Sequence, residues 1–439
     1  MELAKLKELL REAGVVGAGG AGFPTYAKLS EKADTVILNC AECEPLLKVH
    51  RQVLSEYAYE ILSALSEILR ATGAEKAVVA VKAHYNEAIE ALEEEIAEFP
   101  NISIFKLRSV YPSGDEILLI KEVTGRMVRP GNLPITVGVT VCNVESVYNV
   151  YKAMQGQPVT DKFVTVAGEV KTPVTVCAPI GTPIKALIEY AGGTTVDDYE
   201  VISGGPMMGQ IVNEKFVVTK TTNAVIILPK NHNIILNKKR SPIINLKRTM
   251  AVCCQCRTCT ELCSRHVAGY PVEPHMVMRV LASGGKGDLN AIAGSLFCSG
   301  CGLCENYSCP QSLSPRMMIA QLKSAARNNG FKLPDELKIY EDVKNSEFKK
   351  VSVQRLTSRL GLKKYDVPAP MDSGFSAGTV KVSILPNIGA KPVPTVKEGD
   401  EVKKGDMIAK AFEGALSVNV HASVSGKVTR VTDAYIKIN

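Results

Sequence analysis

Two cysteine runs constrain this chain more than any other feature. Cys253, Cys256, Cys259 and Cys263 stand as C-x2-C-x2-C-x3-C. Cys298, Cys301, Cys304 and Cys309 stand as C-x2-C-x2-C-x4-C, followed by Pro310. Cysteines at i, i+3 and i+6 wrap one side of a cubane, because the loop turns back at each step, and the fourth ligand comes from elsewhere. C-x2-C pairs also suit structural zinc. A third cysteine at the same spacing, twice over and with a proline after the last, is far more specific for two [4Fe–4S] clusters. Cys254, beside the first ligand, reads as a non-ligand.

In modules that hold two such clusters, the fourth cysteine of each run serves the other cluster. This assigns Cys253, Cys256, Cys259 and Cys309 to one cluster, and Cys298, Cys301, Cys304 and Cys263 to the second. The crossing keeps the clusters close, so the module reads as an electron wire without substrate chemistry of its own.

At 439 residues the chain exceeds one core and is expected to form two to four domains. Its N-terminus, MELAKLKELLREAG, is an amphipathic helix pattern without the apolar core of a signal peptide. No apolar run approaches the roughly 18 residues of a membrane span, so no transmembrane segment is expected. Thirteen cysteines in a reducing, cytoplasmic compartment point to metal ligation before disulfides. The net charge of +7 is spread along the chain and aromatic residues are 5%, which argues against nucleic acid as a partner.

Residues 1–155 alternate strand-like runs, TVILNC (35–40) and KAVVAVKA (76–83), with helical patterns, which implies a parallel sheet packed with helices. One helical pattern runs from Gln52 to Ala71 and ends at Gly73. Residues 160–230 read as a β-rich α+β module around one helix, and 231–242 as a polar, basic linker. Residues 245–330 carry the cysteine runs between short helices. Residues 331–375 read as charged and irregular. Within them the basic stretch 349–365 is expected to be a solvated surface, with docking of an acidic partner the lesser reading. Residues 370–439 read as a small β-domain. The expected class is multidomain α/β and α+β.

Near the start, Gly17-Ala18-Gly19-Gly20-Ala21-Gly22-Phe23-Pro24-Thr25 precedes Lys28. Bare glycine backbone lets N–H groups approach a phosphate, and a lysine adds charge. A helix pattern, not a strand, precedes the glycines, and no Gly-Lys-Ser/Thr follows, so this is neither the dinucleotide fingerprint nor a Walker loop. Further on come Asn39-Cys40-Ala41-Glu42-Cys43-Glu44-Pro45, then Tyr111-Pro112-Ser113-Gly114-Asp115-Glu116, then Val141-Cys142-Asn143-Val144-Glu145-Ser146. Cys40 and Cys43 read as incidental to a ligand-facing loop.

These four segments, in this order, resemble the flavin-binding loops of the FMN-binding subunit of respiratory complex I. The resemblance implies a Rossmann-like domain with FMN against Gly17, Gly19, Lys28, Asn39, Glu42, Gly114, Asp115, Asn143 and Ser146. It implies Glu116 facing the nicotinamide nucleotide as the catalytic-site residue, with Phe23 stacking nearby. Ala41 and Cys142 depart from the family's aspartate and asparagine, so hydrogen bonds to the flavin ring are lost or replaced there.

The segment 163–210 looks like the β-grasp SLBB domain, and the cysteine module is ferredoxin-like. The tail, 396–428, resembles a barrel-sandwich hybrid (lipoyl-like) domain, with Ala415 where a carrier lysine would stand. The whole order resembles the PduS/RnfC-like family, in the arrangement of its cobalamin reductases. The resemblance implies an NAD(P)H-dependent reductase passing electrons from NADH, or NADPH, through FMN and the clusters to a corrinoid. The implied partner is a redox protein such as an adenosyltransferase, and the implied setting is a bacterial microcompartment. The alternative is an RnfC- or PrdC-like peripheral electron-transfer subunit of a larger complex, docked at the inner face of a membrane. Iron and acid-labile sulfide analysis of anaerobically prepared protein checks the cluster reading. About eight irons per chain are expected, and stoichiometric zinc in their place contradicts it.

Overall fold

The computed structural model describes residues 1–285, 288–334, 346–385 and 388–439. Helix α1 (Leu3–Glu12) precedes strand β1 (Thr35–Cys40), helices α2 (Val49–Glu56) and α3 (Ala58–Thr72), and β2 (Lys76–Lys82). Then come α4 (Asn86–Glu95), β3 (Ile102–Leu107), β4 (Val110–Tyr111), α5 (Glu116–Thr124), β5 (Val139–Asn143) and α6 (Val144–Met154). The parallel sheet has the order β3-β2-β1-β5. Strands β1, β2 and β5 are largely buried on both sides, while the edge strand β3 is partly exposed. Val36, Leu38 and Cys40 face a core shared with α1, α2, α3, α4 and α6, while Ile37 faces α5. The helical pattern of 52–71 is two helices, not one. The backbone breaks at Tyr57, whose ring stacks on Tyr148 at 4.3 Å. Gly73 closes α3 in the left-handed region, as expected of a helix-ending glycine.

The second module builds a mixed sheet from β6 (Asp161–Gly168), β7 (Val174–Pro179), β8 (Tyr199–Ser203), β9 (Gln210–Val212) and β10 (Ala224–Pro229), with α7 (Ile184–Tyr190) packed on it. The expected linker at 231–242 is instead helix α8 (Asn233–Lys239), running into α9 (Pro242–Val252). Ile234 and Ile235 are buried beside Ile226 and Leu228, and this apolar anchor outweighs the basic residues around it. The cysteine module follows with α10 (Thr258–Glu261), α11 (Ser264–Val267), α12 (Pro274–Ala282), α13 (Leu289–Ser295) and α14 (Pro315–Asn328).

The reading of 331–375 as irregular is corrected where it is described; 335–345 lie outside the described residues. Strand β11 (Val351–Ser352) pairs with β4 of the flavin domain. Helix α15 (Val353–Arg359) follows, and β12 (Met371–Asp372) adds an edge to the second module's sheet beside β7. Leu356, Leu360, Leu362 and Tyr365 are buried against Tyr111, Ile226 and Leu228. Arg355, Arg359, Lys363 and Lys364 face outward, whereas Lys349 pairs with Glu261 and Lys350 with Glu122, so the weak amphipathicity of the strap is a real packing face. The C-terminal strands form a four-stranded and a three-stranded sheet. Their apolar residues, such as Val380, Val382 and Ile436, join the large core of the flavin domain.

Buried polar ties fasten the modules together. Glu145 of α6 pairs with Lys162 of β6, both at most 2% exposed, and Lys162 Nζ also donates to Asn223 Oδ1 at 2.8 Å. Lys220 Nζ donates to the carbonyls of Gly14 (2.6 Å) and Asn419 (3.3 Å), joining three modules at one point. Burial pulls that amine down to about 7. Lys162→Met strands the Glu145 carboxylate in the core and is expected to cost roughly 3–5 kcal/mol. The double variant with Glu145→Leu is expected to recover most of that loss, measured as the midpoint of urea unfolding.

Candidate flavin crevice and cluster cavities

The order of the parallel sheet places a topological switch between β1 and β5. After β1 the chain winds outward to β2 and β3, then returns to the other side of β1. Ligands of open α/β sheets bind beyond the carboxyl ends of the strands at such a point. Asn39 and Asn143 stand at the carboxyl ends of β1 and β5 and lie side by side in register. Asn39 Nδ2 donates to the Gly114 carbonyl at 3.0 Å, and its Oδ1 accepts from Ala41 N at 3.0 Å. Asn143 Oδ1 caps α6, accepting from the backbone N–H groups of Glu145 and Ser146.

The glycine loop folds over this edge. Gly17 N donates to the Phe23 carbonyl at 2.8 Å, closing the loop on itself. Ser146 Oγ accepts from Ala18 N at 2.9 Å and donates to the Val16 carbonyl at 3.2 Å. A Cβ on Gly19 would stand 3.1 Å from Asn143 Nδ2, and one on Gly114 would stand 2.6 Å from the Ala41 carbonyl. The four loops therefore converge: close approach of the Ala41 backbone requires glycine at 114, and a Cβ at Gly19 would crowd the Asn143 side chain. Lys28 Nζ lies 3.1 Å from Glu116 Oε1 and 3.3 Å from the Val141 carbonyl, and both side chains are partly exposed. The two residues expected to serve phosphate and nucleotide are thus partners of each other.

Glu42 is buried; its Oε1 accepts from His50 N at 3.1 Å, and its Oε2 has no partner. His50 belongs to none of the sequence motifs, yet it stands in the crevice. Because Asn143 Oδ1 is held by backbone, its Nδ2 donates to His50 Nε2 at 3.0 Å. The neutral ring then carries its proton on Nδ1, which is buried without a partner. Burial pulls the imidazole below its usual range. A buried orphan donor and a buried orphan acceptor beside a glycine-bare cradle fit a polar ring ligand such as a flavin.

Two expectations change. Cys43 is not incidental: its Sγ accepts from Gly114 N at 3.1 Å and donates to the Ala41 carbonyl at 3.3 Å, tying two crevice loops. Burial raises its thiol, and raises Cys142 to about 11, which keeps both protonated at neutral pH. The Asp115 carboxylate, expected against the flavin, is engaged by other groups. Its Oδ1 caps α5, and both carboxylate oxygens meet Arg265, at 2.9 Å (Oδ2) and 2.8 Å (Oδ1), with the side chains 5% and 15% exposed. Arg265 lies two residues after Cys263. Tyr111, in the same loop as Gly114, donates its hydroxyl to the Cys301 carbonyl at 2.6 Å. The crevice and the cysteine module are therefore bonded to each other directly.

The cysteines ring two cavities. One is lined by Cys253, Cys254, Cys256, Cys259 and Cys309 with His275 and Met278. The other is lined by Cys263, Cys298, Cys301 and Cys304 with Arg265 and Arg316. Among the described residues no three such side chains converge on a single-ion site; the thiols surround space. The innermost thiols are raised by burial and then by others around their own cavity. Cys259 reaches about 12, with Cys309, Cys256 and Cys253 as neighbours, and Cys301 about 11, with Cys298. The four thiols assigned to each cavity fit a cationic cluster that offsets four thiolates; Cys254, the fifth cysteine around the first cavity, is exposed. Cys263 and Cys298 pack against the core around α5, so the second cavity lies on the flavin domain.

Family comparison follows the same modules. Residues 10–152 match the Nuo51 FMN-binding domain, 163–210 the SLBB domain, 252–314 the 4Fe-4S dicluster domain and 363–439 the RnfC barrel sandwich hybrid domain. Cobalamin reductase PduS of Citrobacter freundii is 37% identical over 436 residues, covering 99% of this chain and 96% of the relative. A component of the Na(+)-translocating ferredoxin:NAD(+) oxidoreductase complex of Acetobacterium woodii is 34% identical over 275 residues, 61% of this chain and 59% of the relative. The crystal structure of an NAD+-reducing [NiFe]-hydrogenase in the H2-reduced state shares the fold, with a TM-score of 0.50 and 21% identity over 78% of this chain and 69% of that one. No helix among the described residues is long and apolar enough to cross a membrane. The near full-length match and the four modules in one order have one reading: the chain belongs to the PduS/RnfC-like family of FMN and iron–sulfur oxidoreductases.

Proposed function

We propose that this chain is an NADH-dependent reductase that delivers single electrons through two [4Fe–4S] clusters to a corrinoid, as a cobalamin reductase. The observation that carries the proposal is the seam where Asp115 and Tyr111, flanking the crevice, bind Arg265 and the Cys301 carbonyl at the second cysteine cavity. The module order and the near full-length similarity to PduS support the corrinoid as acceptor. An adenosyltransferase as the consumer of the reduced corrinoid, and a microcompartment as the setting, belong to the same proposal.

When bound, FMN accepts a hydride from the nucleotide and releases electrons singly, and the clusters carry them. The chain's own residues do the rest. Gly17, Gly19 and Gly114 leave backbone bare for the flavin, Lys28 supplies positive charge to its phosphate, and Asn39, Asn143 and Ser146 hold the loops in register. Glu42 and His50 offer the ring an acceptor and a donor. Glu116, released from Lys28, orients the nicotinamide nucleotide. Cys253, Cys256, Cys259 and Cys309 hold one cluster, and Cys263, Cys298, Cys301 and Cys304 the other.

Anaerobic stopped-flow mixing tests the proposal. NADH or NADPH is expected to bleach the flavin band, and cob(III)alamin to be reduced in turn. An unbleached flavin with both nucleotides overturns it. Glu116→Gln is expected to raise the KM for NADH with a smaller change in kcat, the signature of lost ground-state binding. Arg265→Ala leaves Asp115 buried and unpaired, weakening the seam by about 3 kcal/mol. Flavin reduction by NADH is expected to persist while cluster reduction slows by roughly ten-fold or more. Equal slowing of both contradicts the assigned role of the pair.

A further inference from the structure

The two cysteine cavities differ in surroundings. The one holding Cys263, Cys298, Cys301 and Cys304 packs on the flavin domain, and Cys304 is buried. The one holding Cys253, Cys256, Cys259 and Cys309 opens at the surface. Cys256 and its neighbour Cys254 are exposed, as are Gln255, Arg257, Pro310 and Gln311 around it. Helix α9 runs directly into this rim. Four of its apolar side chains face solvent: Ile243 is 67% exposed, Ile244 52%, Met250 58% and Val252 45%.

The charge along this stretch is mostly positive, with Glu261 at its edge beside Arg257. From 231 to 260 there is no aspartate or glutamate, while Lys239, Arg240, Lys247, Arg248 and Arg257 are basic; Lys238 turns inward and donates to the Met207 and Gly209 carbonyls. Arg240 and Arg248 both donate to the Ser312 carbonyl at 3.2 Å, on the loop after Cys309. Two guanidiniums thus sit beside the cavity on one acceptor, and burial together with Arg248 lowers Arg240. Of the others, Lys239 meets Glu200 and Arg257 lies 3.6 Å from Glu261. Lys247 stands exposed in the middle of α9.

We propose that electrons leave this protein at the Cys253/Cys256/Cys259/Cys309 cluster, across a docking face formed by α9 and the Cys254–Arg257 loop, into a redox protein with an acidic surface. A mixed apolar and basic patch fits a protein face of complementary charge. The face is the outer side of an 11-residue helix, about 16 Å long, whereas a pocket for a free small molecule is concave. One electron passes from the reduced cluster to an oxidised centre on the partner, such as a corrinoid that the partner carries, no bond forms or breaks, and NADH at the crevice replaces the electron. The proposal rests on the electron-transfer reading above and names its exit and partner.

The test bypasses the nucleotide, so that it fails separately from that reading. The full-length holoprotein is photoreduced with deazaflavin and mixed with oxidised flavodoxin, an acidic one-electron acceptor, and in parallel with neutral benzoquinone. Flavodoxin reduction is expected to slow steeply with salt. Lys247→Glu/Met250→Glu is expected to slow it by roughly ten-fold at low salt, and Lys247→Glu alone by less, with iron content and benzoquinone rates unchanged. Flavodoxin rates equal to wild type in both variants overturn the proposal. So does an equal loss with benzoquinone. Free cob(III)alamin slowed as much as flavodoxin assigns the face to a small molecule and also overturns it. A dimer in solution that the double variant dissociates shows the face covered by a second copy, which overturns it as well.

Discussion

The bidentate contact between Asp115 and Arg265 is the constraint on which the rest of the arrangement depends. A buried carboxylate needs a partner and satisfied lone pairs. Asp115 has the α5 backbone on one side and a guanidinium on the other. It therefore fixes three things together: the start of α5, the position of the Gly114 backbone over β1, and the loop that carries Cys263. Tyr111 repeats the logic on the same loop, with its hydroxyl on the Cys301 carbonyl. The distance from crevice to cluster cavity is set by side chains that are themselves locked, as a site built for electron transfer requires.

The other module boundaries use the same device. Glu44 accepts from the backbone N–H groups of Met207 (2.9 Å) and Met208 (2.8 Å) in the second module, and a side chain on Gly205 would collide with it. Lys82, buried, donates to the Glu42 carbonyl at 2.6 Å and holds the crevice loop from behind. Glu145 and Lys162 close the seam at α6. Interfaces between domains that slide are ordinarily wet and polar at their rims. Here the charges are inside, so moving one module strands a charge, and the modules behave as one body around the crevice.

What was legible in the sequence follows from what is local. Cysteine spacing is covalent geometry, so the cluster runs could be read off directly. The glycine loop and the asparagines at the ends of β1 and β5 were legible because loop chemistry at the carboxyl edge of a sheet is written in short motifs. Asp115 was placed against the flavin because its motif is local, whereas its partner Arg265 lies 150 positions away. The strap 346–372 and helix α8 were missed for a related reason. Their basic residues dominate composition, while a few apolar residues, Ile234, Ile235, Leu356 and Leu360, decide the packing. His50 carried no motif; only its position behind Asn143 gives it meaning.

On this reading the crevice and the two cysteine cavities form one continuous electron path. Rapid freeze-quench electron paramagnetic resonance of the anaerobic protein mixed with NADH tests it most directly. Signals of reduced [4Fe–4S] clusters are expected to rise as flavin absorbance falls, and to show magnetic coupling between two neighbouring clusters. A reduced flavin beside clusters that stay oxidised over many turnovers would contradict it.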